Sequence, residues 1–138
     1  MKTAAIIAEY NPFHNGHKYQ IEETKRQTGA NFIVVVMSGD FVQRGIPAMY
    51  SKTFRTRSAL LSGADLVIEM PIFGTLSAAQ DFARCGVSLF HHMGMIDVLS
   101  FGSESGNIEE LWQLANHSAL ETNEQSALIR EGLRSGLT

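Results

Sequence analysis

Cysteine is nearly absent from this sequence. Cys85 stands alone among 138 residues, so no internal disulfide can form, and no CxxC pair exists to hold zinc. Long apolar runs are missing too, and none approaches the ~20 residues that span a bilayer. Met1-Lys2 leads straight into a strand-like segment, with no apolar core and cleavage site of a secretory signal. A cytoplasmic location without a membrane partner is therefore expected. Charge is scarce: 11 Lys and Arg against 14 Asp and Glu give a net charge of −3. That balance argues against an all-over nucleic-acid binder and leaves room for a local basic patch. Low-complexity segments and repeats are not evident. What is present is globular composition, 44% apolar, at a length suited to one domain with a single core.

Apolar runs alternate with helical stretches. AAIIAE (Ala4 to Glu9) reads as a buried strand. Residues Gly16 to Thr28 form a helix with His17, Ile21, Thr24 and Thr28 on one face, closed by Gly29. FIVVVM (Phe32 to Met37) is continuous and rich in β-branched residues, as in a parallel sheet covered on both faces. SGDFVQRGIPA (Ser38 to Ala48) is a loop. Ser51 caps a helix to about Ser62, and DLVIEMP (Asp65 to Pro71) is a third strand. Ala78 to Met93 is amphipathic, with Ala79, Phe82, Ala83, Gly86, Val87, Phe90 and Met93 on one stripe. Cys85 flanks that stripe and reads as a packing residue. His91 and His92 fall in the last turn, where partial positive charge is favoured. IDVLSFG (Ile96 to Gly102) is a fourth strand, followed by a helix at whose start Asn107 and Glu110 suit a capping-box variant. A last helix covers about Asn123 to Arg130. The order βαβαβαβα predicts an α/β fold, a doubly wound, mainly parallel sheet with right-handed crossovers.

In such folds ligands lie beyond the carboxyl ends of the strands. Strand polarity sends NPFHNGH (Asn11 to His17), SGDFVQRG and GSESGN to that edge. At the first strand-to-helix turn, Gly16 and His17 open a helix whose free N–H groups and dipole suit an anion. Gly16 lets a ligand approach the backbone. His14 and His17 can aim two N–H donors at one phosphate and stabilise charge developing at phosphorus. Taken alone, HxxH also fits a pair of polar loop residues. A metal site is the third reading, although the helical zinc pattern HExxH lacks its glutamate here. The densest basic stretch, KTFRTR (Lys52 to Arg57) with Arg44, fits either a solvated helix face or a phosphate or RNA contact.

HNGH at this turn resembles the HxGH signature of the HIGH-motif nucleotidyltransferase superfamily. AEYNPFHNGH, MSGDFVQRGIPA, SKTFRTRSALLSGADLVIEMP and SFGSESG, in this order, resemble the bacterial tRNA(Met) cytidine acetate ligase family over nearly the whole chain. The resemblance implies a Rossmann-like nucleotidyltransferase (HUP-type) fold. It implies activation of acetate by ATP to acetyl-adenylate and pyrophosphate, then acetyl transfer to the wobble cytidine of elongator methionine tRNA. By position, Ile7, Ala8, Glu9, Tyr10, Asn11, Pro12, Phe13, His14, Asn15, Gly16 and His17, within the stretch from Ile7 to Gln20, would line ATP. Gly102 would let adenine or ribose pack on the fourth strand. His14 and His17 would contact the phosphates. Asp40 is a candidate for a polar contact near the acyl group or the reactive amine, and Arg44, Lys52 and Arg55 for pyrophosphate or tRNA. Magnesium would accompany ATP, with Glu9 and Glu104 nearby and no multi-carboxylate cage for a resident metal.

The family's sequences continue well beyond Thr138, and nothing after Phe101 matches the superfamily's second phosphate-binding segment. The expectation is therefore one nucleotidyltransferase-like domain over residues 1–138, truncated at its C-terminal end and inactive on tRNA by itself. Two other classes stay open: a coenzyme-type adenylyltransferase, and a non-catalytic nucleotide-binding module.

Overall fold

The computed structural model of the chain describes residues 1–119 and 131. They divide into two compact units, Met1–Phe101 and Gly102–Thr138. The first holds strands β1 (Thr3–Ala8), β2 (Phe32–Met37), β3 (Leu66–Glu69) and β4 (Val98–Ser100). They form one sheet in the order β3-β2-β1-β4, with every neighbouring pair parallel. Helices α1 (Asn15–Thr28), α2 (Lys52–Leu61), α3 (Ile72–Thr75) and α4 (Ala79–Met93) connect them. The second unit contains α5 (Ile108–Ala119). The helix expected over Asn123 to Arg130 lies outside the described residues.

The strands are apolar on both sides because both sides are covered. Ala4, Ile6, Ile33, Val35 and Met37 face Ile21 of α1 and Ala59 of α2. The alternate residues Ala5, Val34 and Val36 face Phe82, Leu89 and Phe90 of α4. This is the doubly wound α/β arrangement that a continuous run such as FIVVVM calls for. Helix α4 meets the sheet closely at Gly86, where a Cβ would come within 2.5 Å of Ile7 Cδ1. The missing side chain lets α4 lie directly on β1.

Helix ends follow local chemistry. Gly29 and Gly94 close α1 and α4 with φ of 66° and 64°, a left-handed conformation that costs a side chain and suits glycine. The Oγ of Ser51 accepts from Phe54 N–H at the start of α2. Asn107 Oδ1 accepts from Glu109 and Glu110 N–H at the start of α5. The cap is therefore asparagine's own, and Asn107 N–H goes to Ser105 Oγ.

The lower edge of the sheet repeats one device. The residue before each of β2, β3 and β4 exchanges two hydrogen bonds with the start of a neighbouring strand. Asn31 Oδ1 accepts from Lys2 N–H while Asn31 N–H donates to Lys2 O. Asp65 does the same with Ile33, and Asp97 with Thr3. The fourth strand, expected from Ile96 to Gly102, is shorter, Val98–Ser100, and begins after the Asp97 clamp. Helix α3 is a further departure. Pro71 stops β3 as expected, and with φ −52° it also starts a single helical turn.

The chain moves outward from β1 through β2 to β3, then crosses to β4 on the other side of β1. That reversal puts the topological switch point at the carboxyl ends of β1 and β4, where open α/β sheets take ligands. The turn carrying the two histidines leaves β1 at that end.

Candidate functional site

After Ala8 the backbone turns through Tyr10, which adopts φ 50°, an uncommon conformation for a bulky residue. Its ring is buried and packs edge-on to Phe13 and His17, each centroid at 4.8 Å. Burial pushes its phenol well above the usual range. Tyr10 thus acts as a wedge that seats the histidine turn on the core.

His14 is the N-cap of α1, with its Nδ1 accepting from Gly16 N–H at 3.1 Å. His17, three residues on, accepts from His14 N–H through its own Nδ1 at 3.2 Å. The pair forms a capping box built from imidazoles, a job usually done by Ser or Thr with Glu or Gln. A nitrogen that accepts carries no proton, so each neutral ring carries its proton on Nε2. The rings stack with centroids 3.7 Å apart and planes 25° apart. Two positive charges at that spacing repel. Partial burial, then the neighbouring His14, lowers the pKa of His17. Gly16 also leaves room for the capping ring: a Cβ would sit 3.0 Å from His14 Cε1 and crowd it. The structure therefore brings His14, Gly16 and His17 together as two stacked Nε2–H donors on a helix N-terminus, a cradle for an anion.

The neighbouring segment is more ordered than a loop. Val42 N–H bonds Ile46 O, Ala48 N–H bonds Asp40 O, and Phe41 bridges Pro47. Residues 40–48 make a small hairpin whose tip, Gln43–Gly45, is a 3-10 turn. The backbone of Arg44 lies at that tip. Two side chains of the first turn hold this hairpin. Glu9 Oε1 accepts from Gln43 N–H, and Asn11 Oδ1 from Met49 N–H, both at 2.6 Å.

Among the expected site residues, several have other work in this structure. Ile7 packs its side chain under α4, leaving only its backbone for a ligand. Lys52 donates to both oxygens of Glu69, at 2.9 and 2.8 Å, and lies 3.6 Å from Asp40. The Glu69 hydrogen bond raises the Lys52 pKa. Asp40 is exposed on the hairpin beside that pair. Arg55, expected at a phosphate or RNA surface, is 0% exposed. Its guanidinium donates to the carbonyl oxygens of Tyr50, Glu9, Ser38 and Gly39, which leaves no surface to offer RNA. Gly102 is in the second unit, where a Cβ would meet no atom.

Sequence reasoning missed Glu69. The available signal was an acid at the end of an otherwise apolar strand, at the ligand edge of the sheet. Gly39 belongs with it, since a Cβ there would overlap Glu69 Oε1. Among the described residues, no group of three or more His, Cys, Asp or Glu is placed to hold a metal.

A family model described as HIGH Nucleotidyl Transferase matches residues 1–138. Curated proteins are similar over the same span. The tRNA(Met) cytidine acetate ligase of Acetivibrio thermocellus is 44% identical over 138 residues, all of this chain and 33% of that protein. The protein of the same name from Geobacillus sp. (strain WCH70) is 45% identical over 138 residues, 34% of its length. The crystal structure of Thermotoga maritima TmcAL bound with alpha-thio ATP superposes with a TM-score of 0.89 at 36% identity. That match covers 99% of this chain and 33% of the other. The chain spans about a third of the length of the curated relatives it matches.

Proposed function

Because this chain belongs to the HIGH nucleotidyl transferase family, we propose that its histidine turn binds the phosphates of ATP for the activation of acetate. The whole protein then acetylates the wobble cytidine of elongator methionine tRNA. The observation that carries this is the pair of stacked rings at the N-terminus of α1, both presenting Nε2–H. The relatives named as tRNA(Met) cytidine acetate ligases support the choice of substrates, and the neighbour bound to alpha-thio ATP supports the nucleotide.

The chemistry matches those donors. An acetate oxygen attacks the α-phosphorus of ATP, and the bond to the β-phosphate bridging oxygen breaks, releasing pyrophosphate. Acetate is already ionised, so this step needs no protein base. What it needs is neutralisation of charge on the non-bridging oxygens, which Nε2–H groups and helix N–H groups supply without reorganising. The cytidine amine then attacks the acyl carbon, AMP leaves, and the amine loses a proton. Asp40 is the polar group assigned to the acyl and amine side. Lys52 and Arg44 are the cations assigned to pyrophosphate or tRNA, and Gly102 to the nucleoside. Magnesium belongs to the ATP substrate, because the donor set does not fit a resident ion: Glu9 is committed to Gln43 N–H.

The test is acetate-dependent exchange of radioactive pyrophosphate into ATP, run on the protein at its relatives' full length. Exchange that requires acetate and is lost in His17→Ala supports the reading. Exchange that ignores acetate and needs a phosphorylated acceptor would point to a coenzyme-type adenylyltransferase. Silence with every acceptor would leave a nucleotide-binding module.

A further inference from the structure

Arg55 is the largest fully buried side chain among the described residues. It takes no carboxylate as a hydrogen-bond partner. Nε donates to Tyr50 O at 3.0 Å, Nη1 to Glu9 O at 2.6 Å and Ser38 O at 3.1 Å, and Nη2 to Gly39 O. These four carbonyls belong to three separate segments: the exit of β1, the exit of β2, and the residue before the cap of α2. The five N–H groups of a guanidinium lie in one plane at fixed angles. Four of them in use at once fix the relative position of all three segments.

Burying a charge in this way is costly unless it is fully hydrogen-bonded. A structural role alone has cheaper solutions, since an apolar side chain of similar volume often stabilises as much or more. Desolvation indeed works against the charged form, opposed by the fields of Asp40, Glu9 and Glu69. The segments being tied are also the ones that matter. Glu9 O lies at the root of the histidine turn, and Ser38 and Gly39 directly precede Asp40. Around this hub, Glu9 Oε1 and Asn11 Oδ1 hold the hairpin at Gln43 and Met49, and Lys52 holds Glu69 beside Asp40.

We propose that Arg55 is a positioning residue: its buried guanidinium sets the register between the phosphate-binding histidine turn and the hairpin that carries Asp40. This rests on the proposed acetate activation and identifies what aligns its two sides. Loss of Arg55 frees the hairpin to drift while His14, Gly16 and His17 keep their own local bonds. Nucleotide binding then survives, and alignment for attack is lost.

The experiment compares Arg55→Ala and Arg55→Lys with the wild type in acetate-dependent ATP–pyrophosphate exchange, using the full-length protein, with folding checked by circular dichroism. Expected for both variants is a fall in kcat of about 10²-fold, the scale of a 1 Å misalignment, with KM for ATP changed by less than about threefold. Millimolar guanidinium, far below denaturing levels, should restore much of the Arg55→Ala rate. Lysine, which keeps the charge and loses the planar fork, should not rescue. A folded Arg55→Ala with wild-type kcat, or one whose only change is a raised KM for ATP, overturns the proposal. Failure of both variants to fold does so too, assigning Arg55 to stability alone. A silent wild type instead removes the acetate reading itself, so the two failures are distinguishable.

Discussion

His14 and His17 are held by their Nδ1 atoms, and that fixes what they can do. Each Nδ1 accepts a backbone N–H of the same helical turn, so protonating it removes a cap as well as adding charge. The His17 pKa is lowered by partial burial and then by His14. The sign for stability follows. Below the ordinary histidine value of ~6.5 the unfolded chain takes up a proton that the folded ring resists. The stabilising contribution of neutral His17 is therefore complete above that value and is lost as pH falls through the lower, folded pKa. We expect the urea midpoint to decline as pH drops below about 6.5, and less so in His17→Gln. Long-range nitrogen–proton NMR of the imidazoles should show the Nε2–H form of both rings at neutral pH. An Nδ1–H signal from either ring would contradict the capping geometry and remove the paired donors from the mechanism.

At the scale of elements, much was legible because most decisions are local. The β2 run, the glycines at the ends of α1 and α4, and Ser51 as the cap of α2 each state a boundary in their own chemistry. The clamps at the lower sheet edge were not legible, since Asn31, Asp65 and Asp97 find partners one strand away. Ser38 to Ala48 looked like a loop because its hairpin is held from outside, by Glu9, Asn11 and Arg55. Arg55 itself sat in a basic stretch that reads as surface, and only tertiary packing draws it inward. The clamps give a direct test. Asp65 Oδ2 accepts from Ile33 N–H at 2.8 Å and lies 3.4 Å from Lys25 Nζ. Removing the acceptor leaves a partly buried strand N–H unpaired. Asp65→Ala should therefore cost about 1–2 kcal/mol, read as a lower urea midpoint at unchanged m. Asp65→Asn keeps an acceptor and should cost less. Equal midpoints for Asp65→Ala and wild type would show that the clamp contributes nothing.

For the whole molecule the question is charge. A triphosphate brings about four negative charges at neutral pH, each adding interaction only where a cation or donor is free to meet it. Among the described side chains of the first unit, three cations near the ligand edge already have partners. Lys52 is bound to Glu69 and Asp40. Arg55 is buried on carbonyls, and Lys18 lies 3.7 Å from Glu22. The net charge of the chain, −3, adds a field of the wrong sign. Apart from Lys52 and Arg44, assigned to pyrophosphate or tRNA, what meets the nucleotide is the histidine pair and the N-terminus of α1, neutral donors that orient a phosphate better than they attract it. The curated relatives are about three times as long, and we expect the further positive charge for the nucleotide to come from that remainder. We expect the 138-residue chain to bind ATP with a Kd weaker than about 1 mM in isothermal titration calorimetry. The protein at its relatives' length should bind at least about tenfold more tightly, a difference of about 1.4 kcal/mol. That gain should shrink with added salt, as screened charge interactions do. Equal affinity for both lengths would mean that the histidine turn is sufficient for the nucleotide, and the rest of the protein would then be needed only for acetate and RNA.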